Sequence, residues 1–124
     1  MQNSEVKEKT FDLSLRTKKF ALRIINLFQV LPHTIEAQVI GKQILRCGTS
    51  VGAQYREAKR ARSKAEFLSK IESSLQELEE TGYWLELLVE SGIVSQEKLH
   101  SLSQEQNELT AILVSTVNTA KANK

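Results

Sequence analysis

The chain is patterned at helical spacing from end to end. Leu13, Thr17, Phe20, Ile24, Leu27 and Leu31 recur at steps of four, three, four, three and four. That rhythm keeps one apolar stripe on one face of a helix. Ala21, Ile25 and Phe28 widen the stripe, so the helix is expected to be well buried, with Arg16, Lys18, Lys19 and Arg23 left for its outer side. Asp12 suits its N-cap, and Pro32 stops it by disfavouring helical geometry at the preceding residue. Thr34 then caps a second helix, with Glu36 favourable to its dipole. Its stripe runs Ala37, Ile40, Ile44, Cys47, Val51, Gln54 or Tyr55, and Ala58. Gly48 and Gly52 fall inside this pattern and, with Thr49 and Ser50, make a small-residue patch that another helix can approach closely. One continuous helix is expected here.

Ser63-Lys64-Ala65-Glu66 has the capping-box pattern, in which Ser63 accepts from the Glu66 N–H and Glu66 returns to the Ser63 N–H. A third helix follows over about residues 64–91. Phe67, Ile71, Leu75 or Ser74, Leu78, Gly82 or Thr81, Leu85 and Leu88 form its stripe. Glu72, Glu77, Glu79, Glu80, Glu86 and Glu90 make the rest of its surface acidic. Gly92 suits a left-handed C′ position, with Ile93 placed for the accompanying apolar contact. Ser95 caps a fourth helix whose stripe is Leu99, Leu102, Gln106, Leu109, Leu113, Thr116 and Ala120, with Ile112 and Val117 beside it. Residues 1–10 and 121–124 are expected to be disordered, leaving residues 11–120 as one domain. Four long helices with short connections predict an all-α fold, an antiparallel up-down-up-down four-helix bundle.

Composition supports this picture. The 124 residues include one Pro and five Gly, so helix breakers are few. The single Cys47 excludes an intramolecular disulfide and a multi-cysteine zinc cluster. Its place on the apolar stripe makes it a small buried hydrophobe rather than a sensor thiol. The N-terminus lacks the apolar run of a signal peptide, and no stretch approaches the roughly 20 apolar residues of a membrane span. A cytoplasmic protein with no membrane partner is the expectation.

Charge changes the picture more. The net is +2, but residues 1–64 hold 13 Lys and Arg against 5 Asp and Glu, whereas residues 65–124 hold 4 against 10. Such a split suits either a polyanion-binding face or one half of the chain meeting the opposite half of a neighbour. Pairing within one bundle is the third outcome. The nucleic-acid candidates are Lys18, Lys19, Arg23, Lys42, Arg46, Arg56, Lys59, Arg60 and Arg62, whose phosphate contacts would be salt-dependent and largely sequence-independent. No RNA-binding aromatic motif or helix-turn-helix signature supports base readout.

Catalytic chemistry is not evident. Ser101 directly follows His100, but no nucleophile-elbow pattern occurs. Glu97-Lys98-Leu99-His100 has Glu-x-x-His spacing, but a di-iron bundle needs two such motifs and two further Glu. Glu97 is better explained by the helix dipole and His33 as a loop residue. No metal, cofactor or catalytic residue is expected. Tyr83 and Trp84 are adjacent and point about 100° apart, so one stripe does not bury both. The surplus apolar face, flanked by Leu87 and Val89, favours a protein partner. The candidate subunit interface is Tyr55, Arg56, Glu79, Glu80, Tyr83 and Trp84.

The run SVGAQYREAKRARSKAEF over residues 50–67, followed by YWLELL over residues 83–88, is similar to the bacterial four-helix-bundle proteins encoded by intervening sequences of large-subunit ribosomal RNA genes. That family in turn resembles the accessory variability determinant of diversity-generating retroelements. The similarity spans about residues 12–119. The family pattern usually has Asn at the position of Gln54 and often Lys at that of Gln76. The resemblance implies an up-down bundle that assembles as a ring, typically a homopentamer. For the retroelement relatives it implies a basic surface that engages RNA or DNA and a reverse transcriptase. In a ring the basic patch of one subunit would meet the acidic patch of the next. The leading expectation is therefore a non-enzymatic, self-assembling bundle with nucleic-acid binding. The alternative is a structural or protein–protein adaptor whose basic residues serve subunit contacts alone.

Overall fold

The structure, a computed structural model, describes residues 12–123. The N-terminal residues 1–10, expected to be disordered, lie outside the described residues. Four helices account for nearly everything described: α1 (Leu13–Val30), α2 (Ile35–Lys59), α3 (Lys64–Glu90) and α4 (Gln96–Ala122). Each packs along its neighbours in sequence, and α1 closes the bundle against α4 through its thinnest seam. α1 and α3 therefore sit diagonally across the bundle. α4 continues through Ala122.

All four helix starts use the side chains expected of them. Asp12 accepts from the Leu15 N–H, Thr34 from Ala37, Ser63 from Glu66 and Ser95 from Lys98. Each such cap satisfies an otherwise orphaned donor. The reciprocal half of the capping box differs from expectation. Glu66 Oε2 accepts from the N–H of Arg62 at 3.3 Å, one residue before the cap. At the other end of α3, Gly92 takes φ +79°, and the Val94 N–H returns to the Leu88 carbonyl at 3.1 Å. Ile93 and Val94 then pack against the core.

The predicted α1 stripe is buried in full. In α3 the stripe uses Ser74 and Thr81, not Leu75 and Gly82. The reason is the close approach of α2. Ser74 Oγ donates to the Val51 carbonyl at 2.7 Å, and Thr81 Oγ1 lies 3.1 Å from Cys47 Sγ while donating to its own helix at Glu77. Larger side chains there would push the two helices apart.

The small-residue patch of α2 seats α1. A Cβ added at Gly48 would stand 2.8 Å from Ile24, one at Gly41 would stand 2.7 Å from Leu31, and one at Gly52 would stand 3.0 Å from Thr17. Gly82 performs the same service on the far side of the bundle, where a Cβ would stand 2.7 Å from Gln106 Nε2. That amide donates to the Leu78 carbonyl at 3.1 Å. Among the described residues no helix is long and apolar enough to cross a membrane.

Candidate nucleic-acid interface and subunit surface

The nine candidate cations do not form one patch. Arg46, in the middle of α2, reaches across to α3. Its guanidinium lies 3.4 Å from Glu77 and also bonds Glu80, which in turn accepts from the Trp84 indole N–H at 3.0 Å. The Trp84 hydrogen bond, joined by Arg46, holds the Glu80 carboxyl below the usual carboxylate range. Arg46 is correspondingly held protonated more firmly, chiefly by its bond to Glu80. This cation already has its anions within the bundle.

Arg16 and Arg23 do not lie on the outer side of α1 as expected. Both turn into the α1–α4 seam. Arg16 makes a two-pronged bond to Glu105 at 2.6 and 3.2 Å, and Arg23 donates to Ser101 Oγ at 2.9 Å. Lys18 and Lys19 are exposed on α1, opposite its buried stripe, and Lys42 is exposed on α2.

The remaining four gather at one end of the bundle. Arg56 and Lys59 occupy the last turn of α2, and Arg60 and Arg62 lie in the connection to α3. Arg56 donates to the Ser14 carbonyl at 3.4 Å and Lys59 to Ser14 Oγ at 3.2 Å, both at the start of α1. All four are exposed. Among the described residues none of them is within ion-pair distance of a carboxylate, and the nearby Glu57 is engaged by Lys70 at 2.7 Å. Arg56 and Lys59 also offset the negative end of the α2 dipole. Arg60 and Arg62 follow the helix and are free of that role.

The six interface candidates divide in the same way. Glu80 and Trp84 are tied to Arg46, and Tyr55 is half-buried between the two apolar clusters. Burial pushes the Tyr55 hydroxyl pKa up. Arg56 stands with the terminal cations. Glu79 and Tyr83 face outward, Tyr83 being 53% exposed with its ring edge-on to Trp84 at 5.2 Å. The surplus apolar face expected on α3 thus narrows to Tyr83. Among the described residues, six exposed large apolar positions went unread in the sequence: Val30, Ile35, Val39 and Val114, and the pair Leu15 and Leu22, 42% and 52% exposed. The pair's seven-residue spacing, half a helical turn out of phase with the buried stripe, was the available signal.

Other chemistry is thinly represented. Cys47 is buried, and desolvation raises its thiol pKa. Glu97 and His100 are exposed in the first turns of α4, and His33 is exposed in the α1–α2 connection. No three metal-ligating side chains converge among the described residues.

The helix order, the short connections and the motif over residues 50–88 can be set against known proteins. The profile of the 23S rRNA-intervening sequence proteins matches residues 9–115. The chain belongs to that family. A crystal structure of a protein of unknown function from the S23 ribosomal protein family, from Bacteroides thetaiotaomicron VPI-5482, shares 39% sequence identity with it. The two superpose with a TM-score of 0.79, over 84% of this chain and 96% of that one. An intervening-sequence protein of this family is therefore the frame for the basic end and the α1 and α3 surfaces described above. Among curated proteins, none matches the chain.

Proposed function

We propose that this intervening-sequence protein is a non-enzymatic bundle that self-assembles and binds RNA through phosphate contacts from the α2–α3 end. The observation that carries the reading is the cluster Arg56, Lys59, Arg60 and Arg62. Four exposed cations share one end of the molecule, and among the described residues none of their side chains pairs with a carboxylate, Glu66 reaching only the backbone N–H of Arg62. Lys and Arg so arranged bind the phosphate backbone without reading bases. The family description names 23S rRNA, and RNA is the polyanion chosen on that ground. A homopentameric ring and a reverse transcriptase as protein partner rest on the sequence resemblance, and a cytoplasmic location on the apolar patterning of the chain.

The adaptor reading has its own support in Lys18 and Lys19, which stand with exposed leucines on α1 and suit a subunit contact. The two readings separate in a salt titration of binding to mixed-sequence, single-stranded RNA, followed by fluorescence anisotropy. Four phosphate contacts predict a slope of log K against log salt of about −3. Absence of binding at about 50 mM salt, where such contacts are strong, would remove the RNA role and leave the adaptor.

A further inference from the structure

We propose that the outward face of α1 in one copy docks into the acidic groove between α3 and α4 of the next copy. This rests on the self-assembly reading above and names the surfaces it would use. On α1, Leu15 and Leu22 point away from the core, with Lys18 and Lys19 between them, all exposed. On α3, Glu79 and Glu86 stand either side of Tyr83, and Glu90 follows one turn later. These four line a groove whose far wall includes His100 of α4.

The two faces match in pitch as well as in sign. Leu15 and Leu22 are a seven-residue step apart, about 10.5 Å along a helix, so Tyr83 meets one of them. Leu22 lies four and three residues from Lys18 and Lys19. Tyr83 lies four and three residues from Glu79 and Glu86. A contact between Leu22 and Tyr83 therefore brings the lysines level with a glutamate, whichever way the helices run. Burying Leu22 against Tyr83 would remove apolar surface from water, and the flanking charges would fix partner and register.

One copy does not satisfy itself in this way. α1 and α3 are diagonal in the bundle, so their outward faces point to opposite sides. Each copy presents one face of each kind, and the contact is heterologous. Repetition closes into a ring when the rotation between copies allows it. A polyanion is a poor alternative occupant of the α3–α4 groove, because three glutamates line it.

Light scattering across a concentration series tests the assignment. The wild-type chain is expected above its subunit mass of 14.0 kDa. Lys18→Glu with Lys19→Glu, and separately Glu79→Lys with Glu86→Lys, should each raise the concentration needed for assembly at least tenfold. The four changes together exchange the signs on both faces and should restore assembly. Leu22→Glu should dissociate the copies without altering helicity by circular dichroism, since the position is exposed. An assembled wild type whose mass is unmoved by either charge reversal overturns these surfaces and leaves self-assembly standing. A wild type that stays at 14.0 kDa at every concentration overturns self-assembly and this contact together.

Discussion

The middle of α2 and its C-terminal end carry the same kind of side chain to opposite outcomes. Arg46 sits among anions that the fold supplies, Glu77 and Glu80, and is locked there with Trp84. Ten residues on, the side chains of Arg56, Lys59, Arg60 and Arg62 form no ion pair among the described residues, and Arg56 and Lys59 bond only Ser14. The middle also receives α1 on its glycines and α3 on its backbone, so it faces neighbours on two sides. At the end, Ala58 still packs against Ile71 and Val117, while the four cations face solvent. What separates the groups is whether another helix with acids runs alongside, and that depends on packing rather than on local composition.

The largest effect should come from reversing the terminal four. Arg56, Lys59, Arg60 and Arg62 changed together to Glu should lower RNA affinity by on the order of a hundredfold or more at low salt, since phosphate contacts dominate such binding. Filter binding or anisotropy reads it, and retained affinity would dissolve the contrast between end and middle. The next largest effect strikes the middle. Gly48→Leu sets a Cβ and three further carbons where Ile24 now packs, and overpacking of this kind costs about 1–3 kcal/mol or more. Chemical denaturation should show a loss in that range.

A smaller change should go the other way. Gln54 Oε1 is buried with no hydrogen-bond partner among the described residues. Replacing an unsatisfied polar group with an apolar one of similar size removes a desolvation penalty of about 1–3 kcal/mol, part of which Gln54→Leu should recover as stability. Unchanged or lower stability by denaturation would show that the oxygen has a partner. Arg46→Ala should cost the least, under about 1 kcal/mol, because the guanidinium is half exposed and such pairs are screened. RNA affinity should be unaltered in that variant.

The Arg46–Glu80–Trp84 chain also has a pH signature. The folded-state pKa of Glu80 lies below its ordinary value. Its contribution is therefore complete at neutral pH and is lost as pH falls through the usual carboxylate range and below it. Unfolding free energies of wild type and Glu80→Gln should converge as pH is lowered toward 3. A constant gap would mean that the carboxylate is not the stabilising form.

Most of the fold was legible because its signals are local. The caps at Asp12, Thr34, Ser63 and Ser95 and the stripe from Leu13 to Leu31 depend on residues three or four apart. The choice of Ser74 over Leu75 was harder, since it turns on how near α2 comes. The glutamate at position 66 was expected to bond its own cap and instead reaches Arg62, a choice set by the path of the connection. The site was less legible for the same reason. Arg16, Arg23 and Arg46 read as free surface charge along the chain, and each is engaged by another helix 31 to 89 residues away. The exposed Leu15 and Leu22 lie on the face opposite the buried stripe, and apolar character alone does not say which face a residue takes.

The most direct measurement compares the salt dependence of RNA binding in two variants. Arg60→Gln with Arg62→Gln removes two terminal charges, whereas Arg46→Gln removes the one held by Glu77 and Glu80. The terminal pair should flatten the slope of log K against log salt by about 1.4, at about 0.7 per phosphate contact on a single strand, and Arg46→Gln should leave it as in the wild type. An equal change in both variants, or no change in either, would contradict the assignment of RNA contacts to the end of α2.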